Sequence, residues 1–205
     1  MKNSIFLAAT ILIAGLSAQA QDNKKFAYYI NSGYSIPSMP EKFSDYWKLG
    51  SNFGGGISYP ITEVQWIRGY IAFNNFEFDE DSFLKDSELS DLGIKVDGAA
   101  TTVWQGNYGT KIIFVNSQGS KAKPYLTGGF GFIWLSRSDV KVSGAGGSIT
   151  IEDNSETTYS LEFGAGLDVT LSEKIALFIE GVITVANTED EATQYLPIRI
   201  GLIYH

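Results

Sequence analysis

The sequence predicts one all-β domain, an eight-stranded antiparallel up-and-down β-barrel that crosses a membrane. Three observations predict it. The last stretch, Tyr195 to His205, alternates Leu196, Ile198, Ile200, Leu202 and Tyr204 with Pro197, Arg199, Gly201 and Ile203. A two-residue period is a strand with two different faces. Seven earlier segments repeat that period, and the connections between them alternate in length, as short turns and long loops do at the two ends of a membrane barrel. Beyond the N-terminus no apolar run is long enough for a spanning helix, so strands must do any crossing.

The N-terminus reads as a secretory leader. Lys2 precedes an apolar run from Ile5 to Leu16, and Ser17-Ala-Gln-Ala20 supplies an A-x-A cleavage site. Residues 1–20 are expected to be removed, leaving a barrel domain over 21–205. A membrane anchor is the alternative, but the run is shorter than the roughly 18 residues a spanning helix needs. The chain has no cysteine, which excludes a lipidated cysteine, disulfides and cysteine-ligated metals. A net charge of -8 argues against nucleic acid as a partner. Glycine (22 residues) and aromatics (14%) are abundant, which suits a tightly filled lumen and aromatic girdles.

The first strand, Lys25 to Ile36, sets Phe26, Tyr28, Ile30 and Tyr34 against Ala27, Asn31, Gly33 and Ser35. Pro37 to Lys48 follows as a connection, its two prolines expected to stop pairing. The second strand, Leu49 to Tyr59, alternates Phe53, Gly55, Ile57 and Tyr59 with Asn52, Gly54, Gly56 and Ser58. Pro60 to Glu63 is a tight turn. The third, Val64 to Phe78, has Ile67, Ile71 and Phe73 outside and Arg68, Tyr70 and Asn74 inside. An acidic connection runs from Asp79 to Ala100. The fourth strand, Thr101 to Val115, alternates Trp104, Tyr108, Ile112 and Phe114 with Gln105, Asn107, Gly109 and Lys111.

A short link, Asn116 to Lys123, leads to the fifth strand, Pro124 to about Lys141. Its outer set is Leu126, Phe130, Phe132 and Trp134, and its inner set Thr127, Gly129, Gly131 and Ile133. Val142 to about Glu156 reads as a glycine-rich connection. The sixth strand, Tyr159 to Thr170, alternates apolar residues with Ser160, Glu162, Gly164, Gly166 and Asp168. Leu171 to Glu173 turns it into the seventh, Lys174 to Ala186, where Ile175, Leu177, Ile179, Ile183 and Val185 oppose Glu180 and Thr184. Asn187 to Thr193 leads to the closing strand. Short connections follow the second, fourth and sixth strands, so both termini fall at the short-turn end.

The inner faces carry Arg68, Lys111 and Arg199 against Glu162, Asp168 and Glu180, three charges of each sign. Charges buried in a narrow barrel must be paired. Glu180 and Arg199 lie on neighbouring strands at similar height and are expected to face each other. Such a network holds strands together, or its rearrangement gates a narrow path for ions or water. Eight strands leave room only for side chains, which argues against a wide pore.

The outer aromatics fall into two bands. Phe26, Tyr59, Phe114 and Tyr204 lie near the short-turn ends of their strands, and Tyr34, Phe73, Trp104, Trp134 and Tyr159 near the long-loop ends. Two girdles flanking an aliphatic belt mark a membrane barrel. A soluble barrel with an apolar ligand, the alternative, would put this face inside. Phe43, Tyr46 and Trp47 in the first long connection form a candidate contact surface, or else pack over the barrel mouth. Asp79, Glu80, Asp81, Asp86, Glu88, Asp91 and Asp97 fill the second, where a calcium site is conceivable. Their spacing does not match a D-x-[DN]-x-[DN]-G loop, and a solvated acidic loop is the simpler expectation. No glycine cluster has the spacing of a phosphate-binding loop. His205, the one histidine, stands at the C-terminus without a credible nucleophile partner, so no catalytic site is expected.

Pro124-Tyr-Leu-Thr-Gly-Gly-Phe-Gly131, Phe163-Gly-Ala-Gly-Leu-Asp-Val-Thr-Leu-Ser172, Leu177-Phe-Ile-Glu180 and the closing strand with Tyr204 carry a resemblance. With them the chain resembles the small outer-membrane β-barrel proteins of Gram-negative bacteria, the OmpA transmembrane-domain and OmpX-like group. The likeness covers the second half in detail and the mature chain in pattern. It implies a cell outer-membrane location after secretion, outer-membrane lipid and lipopolysaccharide as surroundings, and the barrel-assembly machinery as a partner during insertion. It further implies a monomer with no cofactor. Two features depart from the group: the terminal aromatic stands one residue in, before His205, and no peptidoglycan-binding domain follows, so cell-wall anchoring is not implied.

Three functions are therefore open. A non-enzymatic structural or surface-binding scaffold with external loops fits best, its ligand unnamed by the sequence. A narrow gated channel for ions or small solutes is the second. A lipid-modifying enzyme, the third, lacks a Ser–His pair.

Overall fold

A computed structural model describes residues 25–87, 94–97, 100–114, 120–144, 147–151, 154–188 and 191–205. The leader expected over 1–20 lies outside them. The barrel strands are β1 (Ala27–Met39), β2 (Gly50–Pro60), β3 (Gln65–Glu77), β5 (Ala100–Ile113), β6 (Ala122–Arg137), β9 (Asn154–Thr170), β10 (Ile175–Asn187) and β11 (Ala192–Tyr204). They close into an antiparallel barrel in chain order, β11 pairing back on β1. Three short strands, β4 (Lys95–Asp97), β7 (Val140–Gly144) and β8 (Gly147–Ile151), form a separate sheet within the long connections. Two helices, α1 (Glu41–Tyr46) and α2 (Glu80–Asp86), lie in the first and second of them. No helix among the described residues is long and apolar enough to cross a membrane.

The register fixes the tilt. Direct partners run Ala27, Ser58, Arg68, Gly109, Gly129, Glu162, Thr184, Tyr195 and back to Pro37, ten residues along β1 from the start. With about 3.3 Å per residue and about 4.8 Å between strands, that stagger tilts the strands by about 40°.

Every strand keeps the alternation its sequence specifies, with the apolar set outward. Ile30 (61% exposed), Ile71 (63%) and Phe163 (63%) lie on the outer wall, while Arg199 and Glu180 (1% each) are inside. This is a protein turned inside out, and it rules out the soluble barrel with an apolar interior. A wall this apolar is stable only against hydrocarbon, since soluble monomers rarely expose patches beyond a few hundred Å².

The lumen is filled in layers. Ala27, Tyr29, Tyr70, Ala72, Ala176, Phe178 and Ile203 form an apolar cluster toward the short-turn end, with Trp66 against it. Phe43, Phe76, Val103, Ile133, Leu135, Ala186 and Tyr195 form another at the long-loop end, with Trp47 against it. The charged residues interleave with the first cluster, where Asp168 is the direct partner of Phe178 and Arg68 stands over the Tyr29 and Tyr70 rings. Room for the large inner rings comes from glycines directly across the ladder. Gly166 faces Tyr125 and Gly201 faces Phe178, whose ring Cζ would stand 2.8 Å from a Cβ at 201.

The connections depart from expectation in three places. Pro37 does not end β1: it pairs with Tyr195, and the register slips between Pro37 and Met39, where a bulge absorbs the missing N–H. The acidic connection contains α2 and β4, because Asp79 caps α2 by accepting from the Ser82 amide at 3.4 Å. Glu80 and Asp81 then sit in its first turn, where the helix dipole favours acids. The stretch from Val142 to Glu156 is the hairpin β7–β8 running into β9. Val140, Val142 and Ile149 alternate as strand residues, and Gly147 at the turn takes φ +134°, a conformation other residues avoid.

Candidate functional site

The charged lumen layer is built from strands on opposite walls. Arg68 of β3 reaches across to Glu180 of β10 with both guanidinium nitrogens: Nη1 to Oε2, and Nη2 donating to Oε1 at 3.3 Å. The Tyr125 hydroxyl donates to the same carboxylate at 3.0 Å. Arg199 is the direct ladder partner of Glu180, and its Nη1 lies 3.5 Å from Oε1. Its Nη2 lies 3.7 Å from Glu162, and its guanidinium stands over the Tyr70 ring at 4.8 Å. Arg199 thus shares itself between two carboxylates and a ring, whereas Arg68 commits to one carboxylate. The pair expected from height is present, but the tighter partner of Glu180 comes from across the lumen.

Glu162 accepts from Tyr70 Oη, Gln105 Nε2 and, at 3.0 Å, Thr184 Oγ1. Lys111 pairs with Asp168 and lies 4.1 Å from the centre of the Tyr125 ring. Toward the long-loop end the polar chain continues: Tyr195 Oη donates to Gln105 at 3.0 Å, Ser160 Oγ to Asn107 at 3.2 Å, and Asn52 and Ser35 to Asn74 at 2.5 and 2.7 Å. Two cavities of about 20 and 10 Å³ adjoin Arg68, each with space for little more than one water molecule. Phe76, Val103, Ile133 and Leu135 then close the column.

Of the inward aromatics that dress these charges, sequence reading places Tyr70 inside and misses Tyr29, Tyr125 and Tyr195. The signal was a tyrosine facing a glycine: Gly56 lies between Tyr29 and Tyr70, and Gly166 opposite Tyr125. Reading it needs the register, which alternation does not supply.

The outer aromatics stand in two groups on the wall. Phe26 and Tyr59 rings are 5.0 Å apart at the short-turn end, where Tyr204 pairs with Tyr28, and Phe114 lies just past β5. At the other end Phe73 and Trp104 rings are 5.0 Å apart, Trp104 faces Trp134, and Tyr159 lies 5.8 Å from Phe132, with Tyr34 on β1. Phe43, Tyr46 and Trp47 pack over the mouth. Phe43 is buried 5.1 Å from Phe76, Trp47 meets Phe78 at 5.0 Å, and Tyr46 meets Phe83 at 5.4 Å. For Phe43 the structure shows the second of the two expectations, packing over the mouth, and not an exposed contact surface: α1 turns it down toward the lumen as a plug.

The acidic connection has structural occupations. Besides the Asp79 cap, Glu80 accepts from the Val96 amide at 2.8 Å, tying α2 to β4. Among the described residues no three metal-binding side chains converge; Glu88 and Asp91 lie outside them, as does the side chain of Asp97. The His205 ring meets Trp66 edge-on at 6.1 Å, its amide donates to Lys174 O at 2.9 Å, and partial desolvation lowers its pKa.

Residues 6–202 match the family model described as outer membrane protein beta-barrel domain. The chain belongs to that family. It is an outer-membrane β-barrel protein. No curated protein sequence matches it. Its fold is similar to three solved structures. Neisserial surface protein A is 12% identical, TM-score 0.58, over 89% of this chain and 99% of that one. Ail of Yersinia pestis, in complex with the heparin analogue sucrose octasulfate, is 16% identical, TM-score 0.53, over 89% and 100%. A major outer membrane protein from Thermus thermophilus is 9% identical, TM-score 0.51, over 88% and 99%. At these identities the likeness is one of fold.

Proposed function

We propose that this barrel is a non-enzymatic, surface-binding scaffold of the Gram-negative outer membrane, delivered by a cleaved leader and inserted by the barrel-assembly machinery. The short turns face the periplasm and the long connections face outward, amid lipopolysaccharide. The lumen supports this reading: its charges pair three against three, and an apolar plug caps them at the outer end. A sealed lumen leaves the external connections to engage a partner. The same plug argues against a channel.

Those connections, residues 40–49, 78–99, 138–153 and 188–191, hold fifteen acids and five bases, a net -10 in a chain of net -8. The polyanion seen with Ail is therefore the wrong charge for this protein, whose outer face suits cationic partners. Because the chain lacks cysteine, Lys141→Cys and Lys174→Cys each introduce a unique label site. A membrane-impermeant maleimide on intact cells should label position 141 and spare 174; the reverse would invert the barrel. Planar bilayers holding the protein should show no steady conductance and no response to heparin. Sustained conductance of the wild type would replace the scaffold with a channel.

A further inference from the structure

Two of the three lumen cations border one space. Arg68 on β3 and Lys111 on β5 face inward from neighbouring strands, two residues out of direct register, since Arg68 pairs with Gly109 and Lys111 with Trp66. Diagonal ladder neighbours stand about 7–8 Å apart, close enough for like charges to oppose each other. Each cation finds its acid on another strand, Glu180 for Arg68 and Asp168 for Lys111. Both cations also line the larger of the two lumen cavities, about 20 Å³ in volume.

The rest of that lining carries no acid. Ser58, the direct partner of Arg68, adds a hydroxyl, and Tyr29, Tyr125, Phe178 and Ile203 add ring and aliphatic surface. Glu180 and Asp168 engage the two cations from outside the lining. Asp168 takes one of the three N–H donors that a lysine ammonium carries, which leaves donors for an occupant. Arg68, Lys111 and Ser58 are 7, 8 and 9% exposed, so the space is nearly withdrawn from water without being cut off. Ser58 stands two residues before Pro60, at the short-turn end of its strand.

We propose that this cavity binds one small monovalent anion, of the size of chloride, reached from the short-turn end. Space for little more than one water molecule admits a halide and excludes tetrahedral anions such as sulfate and phosphate. An anion there is attracted by both cations at the low effective dielectric of the lumen, and it offsets the repulsion between them. A water molecule, being neutral, gains neither term. Glu180 and Asp168 oppose the anion at longer range, so the site is weaker than two unpaired cations would make it.

The test titrates sodium chloride against the full chain in nanodiscs of zwitterionic lipid and reads the width of the chloride NMR line. The protein should broaden the line beyond what empty nanodiscs do. Bromide should displace chloride and sharpen the line, and sulfate at equal ionic strength should not. Lys111→Met combined with Asp168→Leu removes the ion pair together and strands no charge. It should weaken chloride binding by about tenfold or more, the worth of a hydrogen bond to a charged group. Ile203→Phe keeps every charge and fills the space, and it should abolish the broadening. Heat-modifiable gel mobility reports whether each variant is folded, and the wild-type displacement stands whether or not a variant folds. No excess broadening by the wild type would leave the cavity to water and overturn the proposal. Sharpening by sulfate equal to that by bromide, or broadening that the folded variants retain in full, would place the anion on the outer surface of the protein and overturn it as well.

Discussion

Glu180→Gln should destabilise the barrel by about 3–5 kcal/mol, the cost of leaving a partner charge buried without compensation. The carboxylate answers two guanidinium groups, Arg68 by two contacts and Arg199 at 3.5 Å. Glutamine keeps its volume and the bond to Tyr125, so the loss is one of charge. Arg68→Gln should cost a similar amount, and the double variant should recover part of it. The coupling of Glu180 with Arg68 should exceed that of Glu180 with Arg199 by about 1 kcal/mol or more, because Arg199 divides itself between Glu180 and Glu162. Urea unfolding in lipid vesicles, with each pair treated as a double-mutant cycle, measures both. Equal couplings would mean that ladder adjacency governs the network and that the cross-lumen contact adds nothing.

That contrast marks how far the sequence was legible. Strand number, facing and the six lumen charges follow from a period of two, because a strand side chain has only two directions to choose between. Glu180 and Arg199 could be placed at one height because a three-residue turn, Leu171 to Glu173, and the chain end fix their strands. Arg68 could not be joined to Glu180 in this way. Their strands share no ladder, and their contact depends on the ten-residue stagger that rotates one wall against the other. The long connections were illegible for a different reason. A proline in sequence marks a stop, yet β1 passes Pro37 because a bulge carries it. A glycine-rich stretch reads as a loop, yet Gly144 and Gly147 are the last pair of a hairpin whose arms alternate as strands do. Phe43 was ambiguous because an aromatic in a loop packs inward or faces outward according to the helix that presents it.

Adjacent residues on β9 should fail for opposite reasons. Phe163, 63% exposed, points from mid-strand into the bilayer, and Phe163→Arg should cost about 2–4 kcal/mol near the midplane. Gly164 points inward, where the missing side chain suggests spare room. There is none: a Cβ there would stand 2.8 Å from Val182 Cγ2 and 2.9 Å from Val182 Cα, and closer still to the Gly181 carbonyl. That carbonyl is backbone in the neighbouring strand and cannot swing aside, so Gly164→Ser must push β9 from β10 at the height of Glu162. The expected cost is about 1–3 kcal/mol, the range for overpacking. Thickness of the bilayer separates the two mechanisms. Refolding in lipids of shorter and longer chains should change the penalty of Phe163→Arg, since a thinner layer brings the guanidinium nearer water, and should leave that of Gly164→Ser unaltered. A Gly164→Ser penalty that tracked bilayer thickness, or a harmless arginine at 163, would mean that the two faces of β9 are assigned the wrong way round.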